Sequence, residues 1–94
     1  MSNINSQPEQ PSLIQYPCAF PIKVMGRKAD TLVTELTHLA RQFDASFDAA
    51  TVELRESKAG NYLGVTLTVN VTSREQLDAL YRALSAHPLV KVVL

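Results

Sequence analysis

The sequence predicts one α+β domain of ferredoxin-like β-α-β-β-α-β architecture, with two helices on one face of a four-stranded antiparallel sheet. Three segments alternate apolar and polar residues, which is typical of half-buried strands, and a fourth is apolar and rich in β-branched residues. Two segments between them repeat apolar residues at three- and four-residue steps, which is typical of amphipathic helices. Right-handed connections between these elements then give the strand order 4-1-3-2.

The first strand is predicted just before Gly26, where Phe20, Ile22 and Val24 recur at every second position. Pro21 interrupts this run. Because proline has no N–H to donate to a neighbouring strand, we expect a bulge or an unpaired position there.

The first helix is predicted over residues 30–43. Asp30 belongs to the residue types that cap helices by accepting hydrogen bonds from the first free N–H groups. The apolar stripe of this helix comprises Leu32, Val33, Leu36, Leu39, Ala40 and Phe43. A connection over residues 44–50 follows, and we expect Phe47 to pack beneath it.

The second and third strands are predicted to form a hairpin. A short strand covers residues 51–55, and residues 57–61 form a turn whose glycine can adopt a positive φ. The third strand has the longest alternation in the chain, formed by Leu63, Val65, Leu67, Val69 and Val71.

The second helix is predicted to begin with two overlapping capping boxes, Thr72 with Glu75 and Ser73 with Gln76. Its apolar stripe consists of Leu77, Leu80, Tyr81 and Leu84. Pro88 ends it, because proline disfavours a helical residue before it. The β-branched residues 89–94 then predict the fourth strand.

Length and composition fit a single globular domain. The chain has 94 residues, of which 46% are hydrophobic and 19% charged. Residues 1–15 are polar and include Pro8 and Pro11, so we expect a flexible tail there and a folded domain over residues 16–94.

Charge and cysteine content indicate a cytoplasmic protein. Nine basic and nine acidic residues cancel, so the sequence predicts neither a nucleic-acid nor a membrane partner. The chain shows no apolar leader and no run long enough to span a bilayer. Cys18 stands alone, which rules out an internal disulfide.

Three connections are expected to meet at one end of the domain, because each element reverses the chain direction. They cover residues 26–29, 57–61 and 86–88. Their backbone amides and cations could bind a small carboxylate or phosphate. The candidate ligand-binding residues are Gly26, Arg27, Lys28, Lys58, Gly60 and Asn61. These residues could equally be solvated loop residues that bind no ligand, and this alternative interpretation stays open.

The second face of the sheet is predicted to be mixed in character, with Lys23 near Lys91 and Val93. It could be a solvated surface or could pair with another copy. The second strand lies at an edge in the predicted order, and exposed edges invite pairing. We therefore expect self-association.

The segment over residues 16–26 resembles the opening of the YbeD family of small bacterial proteins, with an aromatic-Pro-x-x-Phe-x-x-Lys-Val-Met-Gly pattern. Residues 57–62 and the final residues 90–94 are similar to that family in the same order. The resemblance implies an ACT-like fold, related to regulatory domains that bind amino acids in metabolic enzymes. In such domains ligands often bind around the loop that here holds residues 25–28. The resemblance implies no established activity.

The sequence offers little for catalysis, for a metal or for a cofactor. His38 is predicted to face solvent, His87 to be structural, and Cys18 to pack in the domain. Arg27 and Asn61 invite comparison with acylphosphatases, which share the architecture, but the glycine-rich pattern of those enzymes is missing. We therefore predict a non-enzymatic regulatory or binding domain. Its partner would be a small anion or another protein, and the alternatives are an interaction module without a small ligand or an acylphosphatase-like enzyme.

Overall fold

The protein follows the predicted order of elements. The structure is a computed structural model that describes residues 15–94, so the predicted tail lies outside the described residues except for Gln15. The elements are strand β1 (Cys18–Arg27), helix α1 (Leu32–Phe43), a short 3-10 helix (Ala49–Thr51), strand β2 (Glu53–Glu56), strand β3 (Tyr62–Val71), helix α2 (Arg74–Ser85) and strand β4 (Val90–Val93).

The strands form one antiparallel sheet in the order β2-β3-β1-β4, which confirms the predicted fold and strand order. β1 pairs with β3 along its whole length, from Cys18 opposite Val71 to Arg27 opposite Tyr62. Both helices pack on the same face of the sheet, and Phe47 is buried with them as expected. The fully buried core side chains include Ile22, Leu32, Leu36, Leu67, Leu80 and Leu84. The opposite face has no helix over it among the described residues, and we call it the open face.

Of the two outcomes expected at Pro21, the bulge is absent, because Pro21 lies in continuous register opposite Thr68, and the unpaired position is found on the β4 side. The Lys23 carbonyl accepts from the Leu94 N–H at 2.7 Å, so Lys23 presents its backbone groups to the β4 side. Residues two positions apart in a strand point the same way. The side of Pro21 that lacks an N–H therefore faces the β4 side of the sheet, at a position along β1 that β4 does not reach.

The irregularity of β1 lies instead between Met25 and Gly26, where the pairing with β4 shifts by one residue. Val92 is opposite Met25, on the open face, and Val93 is opposite Val24, against the core. The expectation that Val93 lies on the open face is therefore wrong, because a one-residue shift exchanges the two faces of a strand.

The helix α1 begins at Leu32, two residues later than the predicted start at Asp30. Its cap residue is Thr31, which makes no side-chain capping bond, and Asp30 is exposed. A turn over residues 29–32 leads into the helix, with the Leu32 N–H donating to the Ala29 carbonyl at 3.1 Å, and the first helical bond runs from the Glu35 N–H to the Thr31 carbonyl at 2.9 Å. Of the two predicted capping residues, Ser73 caps helix α2, since Ser73 Oγ accepts from the Gln76 N–H at 3.1 Å. The Gln76 side chain accepts from the Thr72 N–H at 2.6 Å and not from the Ser73 N–H that a capping box would use.

A buried carboxylate fastens the loop after α1 to the sheet. Asp44 Oδ2 accepts from the Asn70 N–H at 2.9 Å, and Asp44 Oδ1 accepts from the Ser46 N–H at 3.0 Å and from Ser46 Oγ at 2.5 Å. Burial alone would raise the pKa of Asp44, but these three hydrogen bonds outweigh it and hold the pKa below its ordinary value.

Candidate functional site

The connections predicted to converge do lie side by side. The Lys28 N–H donates to the Asn61 carbonyl at 3.1 Å, which joins the turn after β1 to the turn before β3. The Arg27 N–H donates to the Leu89 carbonyl at 2.8 Å, which joins the same turn to the segment leading into β4. We call this end of the domain the loop pole.

The loop pole has fewer free groups for an anion than the sequence suggested. The two hydrogen bonds just described occupy the Arg27 and Lys28 amides, so these amides are not available to a ligand. The Lys28 ammonium forms an ion pair with the Glu56 carboxylate at the end of β2. That pair balances one of the three cations expected there.

Gly26 serves packing. It is buried, and a Cβ at this position would lie 2.8 Å from the Leu89 carbonyl oxygen and about as close to the Leu32 methyl groups. Gly60 shapes the hairpin turn, with a φ of 78° and its N–H donated to the Ser57 carbonyl at 3.0 Å. Both glycines therefore have a structural reason to be there, independent of any ligand.

The remaining predicted residues are exposed at the loop pole: Arg27, Lys58 and Asn61. Arg27 is opposite Tyr62 at the end of the sheet. Lys58 reaches the neighbouring open face, where it borders a groove. Lys58 is thus the predicted residue that connects the loop pole with the concave part of the surface.

This groove, which we call the open-face groove, has a volume of about 380 Å³ and crosses β1, β3 and β2. Its floor is formed where Met25 and Arg55 flank Gly64, all in one row across the strands. Gly64 has no side chain, and the Met25 Cε and the Arg55 Cβ would each lie 3.9 Å from a Cβ at this position. The groove is lined by Lys23, Val24, Met25, Arg55, Glu56, Ser57, Lys58, Gly64, Val65, Thr66 and Leu94.

Three of the lining residues, Lys23, Arg55 and Lys58, are cations. The ion pairs found among residues 15–94 join Lys28 to Glu56, Arg74 to Asp78 and His87 to Glu35, and none of them includes these three residues. Glu56 also lines the groove, but Lys28 balances the charge of its carboxylate. The groove therefore combines an apolar floor of Met25 and Gly64 with an excess of positive charge.

Sequence reasoning identified the open face but missed the groove. The available signal was Gly64, which interrupts the most regular strand of the chain, since a glycine inside a strand often marks a close approach of a ligand or another backbone. The pairing of Lys28 with Glu56 had no comparable signal, because Lys28 directly follows β1, and β3 lies between β1 and the strand β2 that ends at Glu56.

The residues considered for catalysis have ordinary roles. His38 is exposed and contacts Gln42. His87 Nδ1 accepts from the Leu89 N–H at 3.1 Å, and His87 Nε2 lies 2.5 Å from Glu35 Oε1, so the ring ties α1 to the segment before β4. Cys18 is half-buried against the core.

Residues 15–94 lack two further features. These residues contain no cluster of three or more His, Cys, Asp and Glu side chains placed to hold a metal ion. Neither helix in this part of the chain has the length and apolar character needed to cross a bilayer.

Relatives are similar in sequence to this protein along almost its whole chain. A UPF0250 protein of Bordetella pertussis is 59% identical over 87 residues, which cover 93% of this chain and 96% of the relative. A UPF0250 protein of Ralstonia nicotianae is 55% identical, and the match covers both chains completely.

Solved structures agree on the fold. Protein HP0495 from H. pylori has a TM-score of 0.73 at 19% identity, covering 96% of this chain and 97% of its own. The ACT domain from the GTP pyrophosphokinase of Chlorobium tepidum has a TM-score of 0.60 at 18% identity, covering 79% and 80%. The family model described as "Protein of unknown function (DUF493)" matches residues 11–94. The resemblance to the YbeD family is thus confirmed, and the chain belongs to the DUF493 (UPF0250) family with an ACT-like fold.

Proposed function

We propose that this protein is a non-enzymatic regulatory domain that binds a small carboxylate- or phosphate-bearing ligand in the open-face groove. The observation that carries the proposal is the placement of Lys23, Arg55 and Lys58 around an apolar floor, with no carboxylate within ion-pair distance of them among the described residues. Specific pockets usually combine an apolar surface with a few convergent polar groups.

Each side chain has a role in this proposal. The Arg55 guanidinium can hold a carboxylate or phosphate with two parallel hydrogen bonds, whereas Lys23 and Lys58 supply point charges. Met25 and Gly64 leave room for an apolar portion of the ligand, because Gly64 adds no bulk between its neighbours. No histidine or cysteine lines the groove, so its hydroxyls, on Ser57 and Thr66, have no histidine beside them to activate them, and the lining supports binding more than turnover.

The test is a titration followed by amide chemical shifts, with inorganic phosphate and acetate as probes. We expect the amides of Arg55, Lys58 and Gly64 to shift together and to saturate. Replacing Arg55 and Lys58 together by Gln should weaken binding roughly tenfold, since an exposed charge contributes up to about 1 kcal/mol and 1.4 kcal/mol is tenfold. Arg41→Gln, an exposed change on α1, is the matched control.

The loop pole predicted from the sequence remains the competing location for ligand binding. A substitution of Arg27 distinguishes binding there from binding in the open-face groove. Arg27 does not line the groove, so Arg27→Gln should leave binding in the groove unchanged and should weaken binding at the loop pole. Binding that survives the loss of both Arg55 and Lys58 would refute the groove as the site.

An acylphosphatase-like activity is the second candidate, because Arg27 and Asn61 lie on adjoining turns joined by the Lys28 hydrogen bond. Hydrolysis of acetyl phosphate that is lost in Arg27→Ala would support this activity. No turnover by the wild-type protein would dispose of it.

A further inference from the structure

The strand β2 forms an edge of the sheet that faces outward along its whole length. All of its residues, Glu53 to Glu56, are exposed, and within residues 15–94 it pairs only with β3. Leu54 lies on the helix side of the sheet, opposite Val65, yet 55% of its surface is exposed. An edge with unpaired backbone groups and an uncovered leucine is a template for another strand.

The hydrogen bonds of the hairpin determine which backbone groups face outward. The Ser57 N–H donates to the Tyr62 carbonyl at 3.0 Å, so the backbone N–H and C=O groups of Ser57 face β3. Because the direction of the backbone N–H and C=O groups alternates from residue to residue along a strand, those of Arg55 and Glu53 also face β3. The N–H and C=O groups of Leu54 and Glu56 therefore point to the open edge.

This alternation limits how two copies of β2 can pair around a two-fold axis. The axis must pass beside a residue of β2, and residues with outward groups must lie opposite each other. An axis at Arg55 places two Arg55 side chains opposite each other, and an axis at Glu53 or Glu56 does the same with two glutamates. Like charges directly opposite destabilise a strand pair.

An axis at Leu54 gives the opposite result. Glu53 then lies opposite Arg55 of the second copy, and Arg55 lies opposite Glu53 of the second copy, both on the open face. These positions do not exchange hydrogen bonds across the pair, and such positions bring side chains closest together. On the helix side, the exposed Leu54 meets Leu54 of the second copy.

From this self-complementary pattern we propose that two copies of the protein pair antiparallel through β2, centred on Leu54. The two Leu54 residues exchange a pair of N–H to C=O bonds. On either side, the Glu56 N–H donates to the Val52 carbonyl of the other copy, since the Val52 N–H is already bonded to the Ala49 carbonyl at 3.2 Å. The result is one eight-stranded sheet with all helices on one face. This inference does not depend on ligand binding in the groove.

The test compares charge variants by sedimentation equilibrium over a wide range of protein concentration. Arg55→Glu and Glu53→Arg each place like charges opposite each other at two sites, so each should raise the dimer dissociation constant by about tenfold or more. The double variant that exchanges the two residues should restore the wild-type constant. Glu75→Arg, an exposed change on α2, should have no effect.

Amide hydrogen exchange of the wild-type protein provides a second measurement that needs no variant. In the paired state the Leu54 and Glu56 amides exchange slowly, and the protection falls on dilution. A protein that stays monomeric at millimolar concentration overturns the proposal. So does a dimer whose Leu54 amide exchanges freely, or a dimer that both single variants leave unchanged.

Discussion

Replacing Gly26 by Ala tests the conclusion that this glycine is required by packing. A Cβ at position 26 would lie 2.8 Å from the Leu89 carbonyl oxygen and 3.0 and 3.1 Å from the two Leu32 methyl carbons. The Leu32 side chain is itself fully buried, so it has little room to move. The Leu89 carbonyl also accepts the Arg27 N–H at 2.8 Å and cannot withdraw without weakening that bond.

The cost follows from three contributions. Overpacking a well-packed core costs about 1–3 kcal/mol. Weakening the bond between Arg27 and Leu89 adds about 1 kcal/mol. Alanine recovers about 0.5–1 kcal/mol relative to glycine inside a strand. The net expectation is a loss of about 2 kcal/mol, which in a domain of this size lowers the melting temperature by about 8–16 °C.

The assay is thermal unfolding followed by circular dichroism, and Gly64→Ala is the matched control in the neighbouring strand. A Cβ on Gly64 would meet its nearest atom, the Arg55 carbonyl oxygen, at 3.4 Å, which is an ordinary contact. This control should melt at the wild-type temperature or slightly above it. If Gly26→Ala melts within about 3 °C of the wild type, the packing argument is refuted.

Two further predictions concern the buried carboxylate of Asp44 and the guanidinium of Arg55. Asp44→Asn should cost about 1–2 kcal/mol at neutral pH, because the ionised carboxylate accepts hydrogen bonds from Ser46 and Asn70. Folding lowers the pKa of Asp44, so its stabilisation is complete above the ordinary carboxyl pKa and is lost as the pH falls through the lowered one. Urea unfolding should therefore show the gap between the two proteins narrowing in acid, and a constant gap would contradict this. Arg55 serves both proposals, so saturating phosphate should weaken the dimer in sedimentation experiments relative to chloride of equal ionic strength, and an unchanged dimer would show that different groups are used.

The periodic elements could be predicted from the sequence because their signal is local. The alternation in β3 and the apolar stripes of both helices depend only on which residues face the core, and the structure buries them accordingly. The features that the sequence did not define depend on which strands lie next to each other in the sheet. Pro21 fits the sheet because β4 does not reach that far along β1, and the shift at Met25 and Gly26 cannot be seen in either strand alone.

The candidate site was harder to predict for the same reason. The sequence placed Lys28 among free cations, yet it pairs with Glu56 of β2, a strand that is not adjacent to the strand β1 that Lys28 follows. It assigned Gly26 to a ligand, although the carbonyl that requires a glycine there belongs to Leu89, far along the chain. Side-chain identity shows which groups a loop offers, and only the packed fold shows which of them are already bonded.

The cancellation of charge over the whole chain also conceals how the fold separates the charges. Nine acidic residues balance nine basic ones, but several of the carboxylates are already bonded within the domain: Glu35 to His87, Asp44 to Ser46 and Asn70, Glu56 to Lys28 and Asp78 to Arg74. The cations around the open-face groove have no such partners among residues 15–94. A net charge near zero argues against attraction to a polyanion at long range, where salt screens the field. It does not argue against a small anion held at contact distance, where the nearest few charges determine the energy.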